Sequence, residues 1–309
     1  LNTNLTTTNN GDISLYTDNA LGGLGVARTI NASGSFNYIP RSDFFNAPVT
    51  YPISNLNLTS SGLLIGKPTN TADITFANAT SIAGPITVYG GDIAINENLN
   101  TTAGTTSGNV LIKASGDLIL AANKSITTSG APVVLWANSD NEATNGSIAL
   151  RNGSSIVTGS GSVAGGHVWL GGGSDGTTWN GLAVGSGYAV PGTIFTPSNG
   201  GGNLQSGIYL ERNSISSFGG NIKIAGDGAA TTRGIVTYGN TININAGSGE
   251  IELDGQVTST AIGNRGGILF GLHDLSIVSR VNISSSATSG DTITINGVGR
   301  GTEDAIGLS

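Results

Sequence analysis

Neither cysteine nor methionine occurs anywhere in the 309 residues; charged residues reach only 10% and aromatics 6%. Without cysteine there is no disulfide framework, no thiolate nucleophile and no zinc ribbon. So little Lys, Glu and Arg cannot supply the wet faces of ordinary amphipathic helices. Positive charge is also scarce: 12 basic against 19 acidic residues give a net charge of −7. That argues against nucleic acid, whose binding rests on Lys and Arg neutralising phosphates, and against polybasic attachment to anionic lipid. Long apolar runs are missing too. The longest patches, such as Leu63-Leu64-Ile65, are strand-sized and far below the roughly 18 residues of a membrane span. No nucleic-acid partner and no membrane insertion are therefore expected.

What the chain has in abundance is glycine, 50 residues of it, but with no triplet period, so collagen is excluded. The hydrophobic fraction of 37% is too high for a disordered chain. Between the glycines one pattern recurs, a Gly, Asn or Asp followed by apolar–x–apolar. It is found at Ile93/Ile95, Val110/Ile112, Leu118/Leu120, Val133/Leu135, Ile148/Leu150, Val168/Leu170 and Ile208/Leu210. It continues at Ile222/Ile224, Ile242/Ile244, Ile251/Leu253, Ile268/Phe270, Leu275/Ile277 and Ile293/Ile295. Alternation with period two marks short strands with one buried and one wet face.

The spacings carry further information. Ile86, Val110 and Val133 recur at intervals of about 24 residues, and Ile242, Ile268 and Ile293 at about 25 residues. A second series, Ile93 to Leu118 and Ile251 to Leu275, lags the first and keeps the same interval. Such a period leaves no room for crossover helices and is too short for a propeller blade. It predicts an all-β fold, a parallel β-helix (β-solenoid) with about 23–26 residues per coil and strands stacked about 4.8 Å apart. Residues 1–309 are expected to form one such segment. The start at Leu1-Asn2-Thr3-Asn4, in mid-pattern and without an initiator Met or signal peptide, suggests a piece of a longer chain.

Two stretches break the rhythm and are expected to be aperiodic excursions from the side of the rod. Residues 36–51 hold Phe36, Tyr38, Phe44, Phe45 and Tyr51, while residues 172–205 hold Trp179, Tyr188 and Phe195. Loops on a rigid scaffold often carry function, which makes Trp179 and Tyr188 candidate contacts for a glycan or a surface. The plainer alternative is that these aromatics cover the flank of the rod.

Candidate chemistry is thin. The stretch 171–176 matches both G-x-G-x-x-G and, from Gly172, G-x-S-x-G, but both motifs require a following helix, and Thr177-Thr178-Trp179-Asn180-Gly181 is not one. His167 and His273 are too far apart for a histidine zinc motif, so no metal site is expected. Asp140 and Glu142 read as loop solvation. Glu250, Glu252 and Asp254 alternate with Ile251 and Leu253, so all three carboxylates point outward from one strand. That row is a solvated face or, alternatively, the acid–base or calcium-binding row of a polysaccharide enzyme. Nine N-x-[ST] triplets occur, about what the Asn and Ser/Thr content yields by chance. Thr-x-Thr, which could order water on a flat face, appears at Thr292/Thr294 but not in register elsewhere.

Gly91-Asp92-Ile93-Ala94-Ile95, Gly116-Asp117-Leu118-Ile119-Leu120 and the stretches 125–130 and 133–140 resemble repeats of filamentous-haemagglutinin-type adhesins. Residues 166–173 followed by 177–182 are similar to a segment of large bacterial surface proteins of that kind. The resemblance spans roughly residues 84–300 and weakens over 1–83. It implies a secreted right-handed β-helix at the bacterial surface, acting as shaft, filament or adhesin without a cofactor. Composition and resemblance together lead to the expectation of a non-enzymatic structural or adhesive rod, displaying loops or stacking end to end on itself or on continuing chain. The alternatives are a β-helical polysaccharide-processing enzyme and a glycan-binding module.

Overall fold

The computed structural model describes residues 4–19, 26–104, 107–142, 145–193, 195–197, 204–229, 232–258, 266–272, 280–290, 292–299 and 305–308. The described residues hold 28 strands and no helix. Twelve strands form a first sheet, nine a second and seven a third, and apart from one hairpin the strands within each sheet pair in parallel. The chain visits the three sheets in turn, as in Ile86–Gly90, Ile93–Ile95 and Leu99–Thr101, before returning to the first at Val110–Ala114. This is a parallel stack of the β-helix or solenoid kind. The Leu275/Ile277 doublet lies outside the described residues; the other doublets named above all fall within strands.

Alternation explains where the core sits. On the first face Ile86, Val110, Val133, Val168, Ile222 and Ile251 form one ladder of registered residues, each at most 1% exposed. Leu99, Ile126, Ile156, Ile215 and Ile244 form the matching ladder on the third face. Each such side chain contributes on the order of 1.5–3 kcal/mol by leaving water. Because each rung meets only the rungs above and below, the core is continuous along the stack.

The register corrects one part of the sequence reading. Ile86, Val110 and Val133 are registered partners on neighbouring strands of the first sheet. Further on, Val133 pairs with Val168, Val168 with Ile222, Ile222 with Ile251 and Ile251 with Ile293. Every one of these intervals is longer than the expected coil, and the one from Val168 to Ile222 is more than twice as long. Ile242, Ile268 and Ile293 lie in three different sheets, so the intervals between them are not repeat lengths. The apolar doublets of different faces look alike, and spacing alone cannot tell a neighbour around the coil from a neighbour along the stack.

Residues 36–51 are also less irregular than expected. Phe36 and Tyr38 end the strand Arg28–Ile39, and Tyr51 ends the strand Val49–Tyr51. Only 40–48 lies between them. Tyr38 packs on Phe45 at 4.7 Å between ring centroids and Tyr51 on Phe76 at 5.5 Å, which places four of the five aromatics in the core; Phe44 remains exposed.

Side chains at the corners bind each rung to the next. Asp73 accepts the backbone N–H of Asp92, Asp92 that of Asp117, and Asp117 that of Ser147, at 2.9, 2.8 and 2.7 Å. A carboxylate that replaces water at a turn N–H makes a charge-assisted bond. The corner aspartates, preceded by glycine at Asp92 and Asp117 and by alanine at Asp73, thus carry an axial column of caps.

Candidate functional site

The described residues of 172–205 fold back over two of the faces. The strand Val168–Trp179 pairs in the first sheet through Gly171, leaves it at Gly172 and returns as an antiparallel hairpin with Leu182–Gly187. Its tip is Asn180-Gly181, with φ of 46° and 77°, the signature of a type I′ turn. Val184 of the return strand lies with Val134, Trp136 and Trp169 in a small apolar cluster on the outside of the sheet. Trp136 meets Trp169 edge-on at 6.3 Å and donates its indole N–H to the Gly173 carbonyl at 2.7 Å. Lys113 lies 3.8 Å above the Trp136 ring, and burial holds its ammonium pKa below the ordinary lysine value. The glycine string 171–176 is therefore hairpin strand and not a phosphate loop or nucleophile elbow.

The chain after the hairpin covers the second face. Phe195 stacks on Tyr209 at 5.2 Å, and the Arg151 guanidinium sits 5.5 Å from the Phe195 ring. Arg151 also pairs with the fully buried Glu211 at 3.1 Å and donates to the Thr196 carbonyl at 2.8 Å. Asp117 fixes the start of this stretch. One of its oxygens accepts from Gly146 and Ser147, the other from the backbone N–H and hydroxyl of Thr193. A Cβ at Gly192 would overlap that carboxylate, so only glycine fits there.

Folding the hairpin back brings together two groups, Tyr188 and Asp254, that lie far apart in the chain. Ile251–Val257 is a first-face strand whose alternation buries Ile251 and Leu253 and turns Glu252 and Asp254 outward, with the exposed Glu250 just before it. Tyr188, at the foot of the hairpin, donates its hydroxyl to Asp254 at 2.8 Å. Burial, and secondly the Asp254 carboxylate, push the Tyr188 phenol well above the ordinary tyrosine pKa, so it remains a donor. Glu252 pairs with Lys223 of the neighbouring strand at 2.9 Å. Trp179, half-buried at the hairpin tip, forms one wall of an open cleft of about 350 Å³, whose other walls include Asn180, Asn221, Glu250, Glu252 and Thr294.

Asn221 organises this floor. Its side-chain oxygen accepts the Glu250 N–H at 3.0 Å, while its own backbone N–H donates to His167 Nδ1 at 2.8 Å. The His167 ring meets Trp179 edge-on at 5.6 Å, and burial lowers its pKa, which favours the neutral form that accepts at Nδ1. A second cleft of about 240 Å³ runs between the hairpin and Trp169, Lys223 and Asp254.

Trp179, Tyr188, Glu250, Glu252 and Asp254 thus converge on one patch. Sequence reasoning missed Asn180, Asn221, Lys223 and Thr294. Asn180-Gly181 is a hairpin-turn signal that could have been read directly. Asn221 and Lys223 flank Ile222 on the strand that precedes the carboxylate row in the stack, information that only the register supplies. Asp140 and Glu142 are exposed in a turn, and His273 lies outside the described residues. Among the described residues no three His, Asp or Glu side chains are grouped to hold a metal ion. No helix of the described residues is long and apolar enough to cross a membrane. No protein-family model, curated protein or solved structure matches the chain.

Proposed function

We propose that the chain is a non-enzymatic segment of an extracellular rod at the bacterial surface that contacts glycans through the cleft beneath Trp179. In this reading the stack is a right-handed β-helix with a basic coil of about 23–26 residues, lengthened after Val133 and most of all where the hairpin and its following loop are inserted. It needs no cofactor. The observation that carries the proposal is the single open cleft that Trp179 shares with Asn221, Glu250 and Glu252. An aromatic face takes up the C–H face of a sugar ring, while carboxylate and amide oxygens accept its hydroxyls. The exposed Ile293, Val298 and Ile306 on the outermost described strands support end-to-end contact with another copy or with further chain.

The test is a glycan array probed with the wild-type chain and with Trp179→Ala. Bound glycans should lose about tenfold or more in affinity on removal of the indole, with the melting temperature little changed. Equal binding by the variant would remove Trp179 from the site and the proposal with it.

A polysaccharide-processing enzyme is the second reading, favoured by Glu250 and Glu252 facing one cleft. Two carboxylates flanking a glycosidic bond are the usual machinery of such enzymes. Against it, Glu252 is already held by Lys223 and Asp254 by Tyr188, so a two-carboxylate mechanism lacks a free pair. Glycan turnover by the wild type that vanishes in Glu250→Gln/Glu252→Gln would establish the enzymatic reading instead.

A further inference from the structure

Among the described residues the seven-stranded sheet ends at Thr80–Ile82, which pairs on one side with Leu99–Thr101 and on its other side with no strand. The neighbour due there by position in the stack is Leu56–Ile65. That strand meets the next rung through Leu63, Leu64 and Ile65, registered with Ile86, Thr87 and Val88. Its first half, residues 56–60, pairs only with residues 28–32 behind it. The two segments touch where the Gly84 N–H donates to the Ser61 carbonyl at 2.6 Å. Between them lies an open cleft of about 410 Å³.

Two backbone edges therefore face each other without ladder partners among the described strands. In a parallel ladder, alternate residues direct both N–H and C=O to the same neighbour. Thr80 N–H donates to the Asn98 carbonyl, and the Ile82 carbonyl accepts from Thr102, so Thr80 and Ile82 serve the strand Leu99–Thr101. Ser81 must turn its N–H and C=O into the cleft. On the opposite wall Arg28 N–H donates to the Asn55 carbonyl. The same alternation commits Asn57 and Thr59 to the strand behind and turns Leu58 toward the cleft. Unpaired edges of this kind are templates for another strand.

We propose that this cleft receives an extended, uncharged peptide segment of another polypeptide, which pairs as an added strand with Leu58 on one wall and Ser81 on the other. The chemistry of the walls selects the guest. Leu56, Leu58 and Ile82 line its inner side, Asn57, Thr59 and Ser81 its outer rim, and no lining residue is charged. A guest reading apolar–polar–apolar fits that alternation. A charged side chain on the inner side would be desolvated against Leu58 and Ile82 with no counter-ion.

The probe is the blocked peptide acetyl-Thr-Ile-Asn-Ile-Asn-amide, the sequence of residues 241–245, which is uncharged, alternates polar and apolar residues and already forms a strand of the same seven-stranded sheet. Titration into the full chain should give saturable binding, with backbone amide NMR shifts centred on Leu58 and Ser81. Ser81→Pro removes an N–H that serves the cleft and no ladder bond, so it should weaken binding about tenfold or more. It also loses the exposed contact of the Ser81 hydroxyl with the Asn100 amide, so Ser81→Ala, which loses that contact alone, should bind as the wild type does. A peptide N-methylated at its central residue should lose affinity for the wild type in the same way, which covers the case of a Ser81→Pro chain that fails to fold. No binding at millimolar peptide, or binding undiminished by Ser81→Pro and by N-methylation, overturns the proposal. So does slow amide exchange at Ser81 in the free chain, which would mean that the chain already fills the cleft itself.

Discussion

Asp117 shows how one residue of a repeat acquires a second task. Asp73, Asp92 and Asp117 occupy equivalent corners, and each caps the backbone of the following rung. Crowding has a cost: burial, then the neighbouring carboxylates of Asp117 and Asp73, raise the pKa of Asp92. Of the three, Asp117 alone reaches on to Thr193 with its second oxygen. Asp117→Asn should keep the Ser147 cap but set an amide N–H against the Thr193 N–H. Loss of a buried charge-assisted pair without replacement costs about 2 kcal/mol. Urea unfolding should register that loss, and limited proteolysis should then cut near Thr193, where the wild type resists. An equally resistant variant would show that Phe195 and Arg151 hold the segment unaided.

At the scale of the element, the hairpin depends on its tip. Nothing lies within 4 Å of a Cβ at Gly181, so Gly181→Ala meets no clash, and its cost is that of a side chain at positive φ alone. About 1 kcal/mol is expected from that backbone conformation. Because Val184 covers Trp136 and Trp169, the variant should show increased tryptophan exposure to a neutral quencher and weaker glycan binding. Unchanged quenching would mean that the return strand is held by Tyr188 and Asp254 and not by its turn. Much of the fold was legible in the sequence because alternation is local: Ile93/Ile95 or Val133/Leu135 forms a strand whatever it pairs with. Which face a doublet joins is not local, and Ile242, Ile268 and Ile293 illustrate the resulting error. The site was legible in pieces. The outward carboxylates followed from period two, whereas their meeting with Trp179 depends on Val168 pairing with Ile222 across the whole inserted hairpin and loop.

For the whole molecule, interior rungs are bonded on two sides and the outermost ones on a single side. Hydrogen exchange should therefore be slowest for the strands between Ile93 and Leu170, whose ladder residues are essentially inaccessible, and faster for Arg280–Ser285 and Ile293–Val298. Uniform protection would contradict a stack held by nearest-neighbour contacts. The variable register has a mechanical meaning as well. The rung from Val133 to Val168 and the rung from Val168 to Ile222 each add one strand spacing to the axis, although the second contains far more chain than the first. Under tension along the axis, loosening the rung from Val168 to Ile222 would release on the order of 180 Å of slack, against about 80 Å for a rung of the basic length. The inserted hairpin and loop are thus hidden length, held shut by Asp117, Arg151 and Tyr188, in a stack that is no taller for containing them.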